Sequence, residues 1–315
     1  MQANVRKAND EAITAAAKIL RRGGLVAFPT ETVYGLGANA ADDAAVARIF
    51  AAKGRPKFNP LIVHVRDYEH GAEHGVFPAL ARDLAAAFWP GPLTLVVPRK
   101  ERCELSLLVS AGLDTVAMRA PSHPAAQHLL IESQLAIAAP SANPSGRLSA
   151  TTAKDVADAL GNEVDLILDA GPCSVGIEST VVGFNGETAV LLRPGAIARS
   201  ELEPIAGALQ SPKQGHISSP GQLESHYAPN AKMRLYARQP KKGEAFLAFG
   251  PDAPSAEHSL NLSPRGDTRE AAANLFAMLR KLDTINAETI AVMPIPDEGL
   301  GEAINDRLRR AAAPR

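Results

Sequence analysis

Cysteine is nearly absent from this chain: Cys103 and Cys173 are the two in 315 residues, and they share no C-x-x-C spacing. That usage excludes a disulfide framework and a cysteine-based zinc site, and it fits a reducing compartment. Aromatic residues are scarce too, 4% of the chain against 46% hydrophobic residues in all. Alanine and the aliphatics must therefore fill the core, and few rings are left to stack on bases as an RNA binder requires. No apolar run is long enough to cross a bilayer, and Met1-Gln2-Ala3-Asn4-Val5-Arg6-Lys7 lacks the apolar stretch of a secretory leader. We expect a cytoplasmic chain with no membrane partner. Charge of either sign is missing in excess: 33 Lys plus Arg against 34 Asp plus Glu leave a formal −1. That balance argues against non-specific coating of nucleic acid, while leaving room for a local basic patch. A P-loop is excluded as well, because no G-x-x-x-x-G-K-[ST] occurs.

The length suggests two domains. Apolar spacing predicts helices over 9–22, from 42 or 43 to 54, around 78–88, over 123–133 and over 152–160. Apolar β-branched runs predict strands at 25–28, 61–65, 93–97, 115–119, 135–139, 164–168, 179–182 and 190–193. Residues 30–37 and 173–178 read as polar loops. Strands alternating with helices favour an α/β fold built on a twisted mixed sheet. Composition shifts after 206, and residues 211–230 hold three prolines, two glycines and several serines. We therefore expect a first domain over 1–210, a linker over 211–230 and a smaller α/β domain over 231–315. The smaller one has expected strands at 233–236, 245–249, 259–262 and 290–293 and a long helix over 268–282.

The stretch Lys53-Gly54-Arg55-Pro56-Lys57-Phe58-Asn59-Pro60 crowds three cations into five residues at a helix end. Cations there can simply complement the helix dipole. They can also converge on an anion, since Gly54 frees Lys53 and Arg55 from helical geometry. Asn59 and His64 follow closely, and Arg119 and Arg193 each stand near a strand exit, where ligands gather in open α/β sheets. Ser141 and Asn143 sit between Pro140 and Pro144, so they project from a rigid turn. No G-x-S-x-G surrounds Ser141, which argues against an acyl-enzyme nucleophile. Gly35-Leu36-Gly37-Ala38-Asn39-Ala40 fits G-x-G-x-x-G/A, but Pro29 to Tyr34 separate it from its strand, against a dinucleotide site. His70-Gly71-Ala72-Glu73-His74 fits H-x-x-E-H, yet Gly71, Gly75 and Pro78 argue for a solvated loop, and we expect no resident metal.

Taken together, the segments resemble the YrdC family of threonylcarbamoyl-AMP synthases in its long, two-domain form. The matching stretches are Ala27 to Gly37, Lys53-Gly54-Arg55-Pro56 with Asn59-Pro60-Leu61, and Trp89-Pro90-Gly91-Pro92-Leu93-Thr94. Ala138 to Asn143, Glu178-Ser179-Thr180, Leu192-Arg193-Pro194-Gly195 and His226-Tyr227-Ala228-Pro229 complete the set, in the family's order. The resemblance implies a YrdC-like mixed sheet followed by a small Rossmann-like α/β domain. It implies an enzyme that makes L-threonylcarbamoyladenylate and pyrophosphate from L-threonine, bicarbonate and ATP, with Mg2+ accompanying the nucleotide. A downstream tRNA threonylcarbamoyl transferase complex would use the product to modify the adenosine next to the anticodon. By the same resemblance, ATP contacts fall to Lys53, Arg55, Asn59, Thr115, Ser141, Asn143, Ser149, Arg193 and Tyr227. Threonine contacts fall to Thr30, His64, Arg119 and Ser179, with Arg119 clamping the carboxylate. The linker would close over the pocket, although Pro220-Gly221 is followed here by Gln222-Leu223-Glu224-Ser225 where the family often carries a basic, aromatic run. A rival reading is an RNA-binding module with a basic concave face, making a weak RNA contact. The near-neutral charge and the scarcity of aromatics count against it.

Overall fold

The computed structural model describes residues 3–56, 58–212 and 225–314. Strand β1 (Val5–Lys7) leads into helix α1 (Asp10–Arg21), which starts where the Asn9 side chain accepts the Ala12 N–H. Strands β2 (Val26–Phe28) and β3 (Gly35–Asn39) follow, then α2 (Asp43–Lys53), capped by Asp42 and ended by Gly54 at φ 60°. Next come β4 (Ile62–His64), a short helix α3 (Tyr68–Ala72), α4 (Ala79–Phe88), β5 (Leu93–Pro98), β6 (Thr115–Arg119) and α5 (Pro124–Ser133). The two-residue β7 (Ile137–Ala138), α6 (Ala153–Leu160), β8 (Leu166–Asp169), β9 (Thr180–Asn185), β10 (Thr188–Arg193) and α7 (Arg199–Ala206) complete this part.

These strands form one ten-stranded sheet in the order β1-β8-β2-β3-β7-β4-β6-β5-β9-β10. Its pairings are mixed: β4 and β6 run parallel, while β7 runs antiparallel to both β3 and β4. A second sheet is parallel throughout, with β11 (Lys232–Arg234), β14 (Thr289–Val292), β12 (Ala245–Ala248) and β13 (Ser259–Asn261) in that order. Helices α8 (Thr268–Asp283) and α9 (Gly301–Ala312) bury their apolar stripes against it, through Leu275, Phe276, Leu279, Ile304 and Leu308. The mixed sheet and the second, Rossmann-like α/β arrangement are those expected from the sequence.

Some expectations need correcting. Residues 35–39 are strand, not loop. Gly35 and Gly37 occur there because the strand runs against Phe28; a Cβ on Gly37 would stand 2.8 Å from the Phe28 ring and 2.9 Å from Ile137. The G-x-G pattern thus records a packing requirement rather than a phosphate loop. His70 is buried on α3, which Asp67 caps, so the H-x-x-E-H stretch is not a solvated loop. Strand β1 and helices α3, α7 and α9 were not read from the sequence. Residues 213–224 of the expected linker, and Lys57, lie outside the described residues.

The second hydrophobic cluster is continuous across the two sheets. It joins Phe276, Leu275 and Ile304 to Val33, Leu148, Ile177 and Ala196 of the first part. Gly176, at φ 77°, permits the approach: a Cβ there would fall 2.6 Å from the α8 backbone at Ala272 and Ala273.

Candidate active site

A pocket of about 570 Å³, partly open to solvent, lies over the central strands. Ile62 and His64 alternate onto its floor from β4, and the β4–β6 register sets His64 beside Arg119. The loop after β2 contributes Thr30, Thr32 and Val33, and the turn after β7 contributes Pro140 and Ser141. Glu178 and Ser179 enter just before β9, Arg193 from the end of β10, Arg55 from the segment after α2, and His226-Tyr227 from the far end of the expected linker.

Of the residues assigned by resemblance, Thr30, Arg55, His64, Arg119, Ser141, Ser179, Arg193 and Tyr227 are thus brought together. Lys53, Asn59, Thr115, Asn143 and Ser149 are not on the lining. Thr115 opens β6 opposite Pro98, about 13 Å along the strand from Arg119 at the usual strand rise. The Ser149 hydroxyl is buried and donates to Glu178 Oε1 at 2.5 Å, so it holds the wall instead of facing the pocket. The Lys53 ammonium donates to the Ser141 carbonyl at 2.6 Å and to that of Asn143. Lys53 therefore fixes the turn that carries Ser141. Burial, and then the charge of Arg55, holds its ammonium well below the ordinary lysine range. Asn143 donates from Nδ2 to the Pro144 and Arg147 carbonyls. Its Oδ1, and both side-chain polar atoms of buried Asn59, have no hydrogen-bond partner among the described residues. Such buried amide atoms are the kind a ligand satisfies.

Arg55 donates to the carbonyls of Asn59 and Pro60, and burial pulls its guanidinium down to about 10. It remains charged at neutral pH. Arg193 donates from Nη2 to the Ser179 carbonyl at 2.8 Å and to the Ser179 hydroxyl at 3.2 Å. That hydroxyl also pairs with Thr94 Oγ1 at 2.7 Å. The Arg119 guanidinium is already engaged on three nitrogens: Nη2 makes an ion pair with Glu31 Oε1 at 2.6 Å, Nη1 donates to Thr32 Oγ1 at 2.8 Å, and Nε donates to the Gly91 carbonyl, which leaves part of its five N–H donors unused. Burial pushes the Glu31 carboxyl up, but the Arg119 charge and hydrogen bond more than offset it, so Glu31 stays ionised. A ligand carboxylate would therefore meet an arginine already paired on one side. His64 packs edge-on against Phe28 at 5.9 Å, and its Nδ1 has no hydrogen-bond partner among the described residues. Burial, with Arg119 adding, pushes His64 down to about 3, so the imidazole is neutral at pH 7.

Sequence reasoning gave no role to Glu31, Thr32, Glu178 and His226, although each stands inside a matched motif. Arg307 was missed altogether. It lies on α9, and nothing in its local sequence marks it apart from the other arginines there. His70, Glu73 and His74 place candidate ligand atoms within 4.8 Å of one another, none of them on the pocket lining. No helix among the described residues is long and apolar enough to cross a membrane.

Comparison with known proteins adds the following. A family model described as telomere recombination (Sua5/YciO/YrdC) matches residues 18–195, and one described as threonylcarbamoyl-AMP synthase, C-terminal domain, matches residues 197–313. Threonylcarbamoyl-AMP synthase of Bacillus subtilis is 40% identical, covering 98% of this chain and 94% of its own length. The Pyrococcus abyssi protein of the same name is also 40% identical, covering 98% and 96%. The crystal structure of P. abyssi Sua5 complexed with L-threonine superposes with a TM-score of 0.90 at 38% identity, over 99% of this chain and 97% of that one.

Proposed function

The chain belongs to the Sua5/YciO/YrdC family in its two-domain, threonylcarbamoyl-AMP synthase form, and on that premise we propose that it joins L-threonine, bicarbonate and ATP into L-threonylcarbamoyladenylate. It is a nucleotidyltransferase that supplies tRNA modification. The observation that carries the reading is the composition of the pocket. Arg55 and Arg193 suit a polyphosphate, and Thr30, His64, Arg119 and Ser179 suit a small hydroxylated amino acid, all in one cavity. The P. abyssi relative solved with L-threonine supports the second half of that assignment. We take residues 1–210 as the catalytic domain, 211–230 as the linker and 231–315 as the accessory domain.

Both nucleophiles come from substrates. The threonine amine attacks the bicarbonate carbon; a C–N bond forms and water leaves, giving the N-carboxylate. One carboxylate oxygen then attacks the α-phosphorus of ATP, the Pα–O–Pβ bond breaks and pyrophosphate departs. The protein's work is placement and charge. Neutral His64 can share a hydrogen bond with the amino acid without adding a cation beside its amine. Arg55 and Arg193 face the negative charge that grows on the departing pyrophosphate. Magnesium fits as a companion of the triphosphate rather than as a resident ion. Among the described residues, the carboxylates around the pocket, Glu31 and Glu178, are both engaged by arginines and leave no acidic ligand set. The product passes to a tRNA-modifying transferase complex, since an acyl adenylate is labile in water.

Pyrophosphate release tests the reading. Release is expected to require L-threonine and bicarbonate together, and Arg55→Ala to raise the KM for ATP by about tenfold or more, as loss of a charged hydrogen bond does. Release that proceeds without either co-substrate would sink it.

A further inference from the structure

Arg307, on α9, is the largest fully buried side chain among the described residues, and the chemistry above leaves it without a role. Its Nε donates to Glu178 Oε2 at 2.8 Å, and its Nη1 to the Pro194 carbonyl and to Asp306 Oδ2, both at 2.9 Å. Its Cζ stands 5.2 Å from the centroid of the Tyr227 ring. The other Glu178 oxygen accepts the Ser149 hydroxyl. Glu178 is thereby held from both sides while it lines the pocket with Arg55, Arg193 and Tyr227.

A carboxylate in that wall is a hazard for an anionic ligand. Left unpaired, it would repel a polyphosphate and draw Arg193 toward itself, because a buried charge without a partner takes the nearest opposite one. Arg307 removes both effects from behind the wall. We propose that Arg307 is a positioning residue for the nucleotide: it reaches from the second sheet's helix layer to neutralise and hold Glu178 and to seat Tyr227, so that the carboxylate does not oppose a polyphosphate in the pocket. This rests on the nucleotide reading of the pocket and gives the C-terminal part of the chain a task in it. Glu178 keeps its Arg307 partner only while α9 is docked. Among the described residues, the other ion pairs across the same boundary, Arg269–Glu201 at 3.0 Å, Arg199–Glu302 at 2.8 Å and the less exposed Arg280–Asp155 at 3.0 Å, are all more exposed than Arg307–Glu178 and involve no residue of the pocket lining.

The test is binding of α,β-methylene ATP, which cannot release pyrophosphate, to the full chain by isothermal titration calorimetry. Arg307→Met strands the Glu178 charge and is expected to weaken the analogue about tenfold or more, with L-threonine affinity within about twofold of wild type. Adding Glu178→Gln removes the stranded charge, so the double variant is expected to return to within about threefold of wild type. Arg269→Ala, which cuts an exposed link, is expected to leave both affinities unchanged. A double variant as weak as Arg307→Met, or an Arg307→Met protein that loses both ligands equally, overturns the proposal and makes Arg307 a strut between the two parts. Should Arg307→Met fail to fold, the double variant decides alone, and an analogue affinity more than about tenfold below wild type is then the overturning result. The synthase reading fails separately. Wild-type protein that binds the analogue but releases no threonine-dependent pyrophosphate sinks that reading and leaves the Arg307 comparison standing. Wild-type protein that does not bind the analogue overturns both.

Discussion

At the scale of single residues, the pocket holds, among the described residues, two histidines that burial keeps neutral. His64 and His226 are each pushed down to about 3, His64 with help from Arg119 and His226 despite the opposing pull of Glu178. Unfolded, each would titrate near its ordinary value of about 6.5. Between those values the unfolded chain binds more protons, so the stability is complete above about pH 6.5 and is lost as pH falls toward 3. Each histidine is expected to take away about 2 kcal/mol at about pH 5 relative to neutral pH. Urea unfolding of wild type at the two pH values, beside His64→Gln and His226→Gln, measures this. Variants that keep the full pH dependence of the wild type would refute it. His64 was legible in the sequence as the one polar side chain in an apolar strand. His226 was legible only as part of a matched motif, because what makes it unusual is burial.

Among the elements, the link between α2 and the turn after β7 sets the shape of the site. Lys53 donates to two carbonyls of that turn, and the Ser145 N–H returns a hydrogen bond to the Lys53 carbonyl at 2.8 Å. Lys53→Met would leave the buried Asn143 carbonyl without its donor and untie α2 from the turn, and is expected to cost about 1–3 kcal/mol of stability. Arg55→Ala is expected to raise the KM for ATP with a smaller shift in Tm. Thermal melts beside steady-state kinetics separate the two, and equal Tm losses would show that Lys53 and Arg55 share one role. From sequence, the pair read either as helix-end cations or as anion ligands, and the family resemblance assigned both to ATP. Only the fold distinguishes them, since Gly54 in the left-handed region turns Arg55 to the pocket while Lys53 stays in the last turn of its helix. The same lesson holds for Gly35 and Gly37, whose loop-like composition hides a strand pressed against Phe28.

Across the whole molecule, the core does not stop at the boundary between the sheets. Tyr227 packs on Phe276 with ring centroids 5.6 Å apart, and Val33 and Ile177 join the same cluster. Parts that share a core and a buried ion pair should unfold together. Fluorescence of the single tryptophan, Trp89, reports the first sheet, while far-UV circular dichroism reports the helices of both parts. The two denaturant transitions are expected to coincide; a separate early loss of ellipticity would mean that the C-terminal part unfolds independently.

Most of the order of strands and helices (β1, β3, α3, α7 and α9 excepted), the starts of α1 and α2 and the motifs that mark the family are local properties, and the sequence by itself determined them. Periodicity, capping side chains and fixed spacings act within a few residues. Which polar groups line the pocket was decided by tertiary structure alone. Ser149 and Lys53 turned inward to hold a wall and a turn, Arg119 arrived already paired with Glu31, and Arg307 came from a helix with no motif of its own. Burial and pairing are set by what the remainder of the chain brings within a few ångströms, and the local sequence does not carry that.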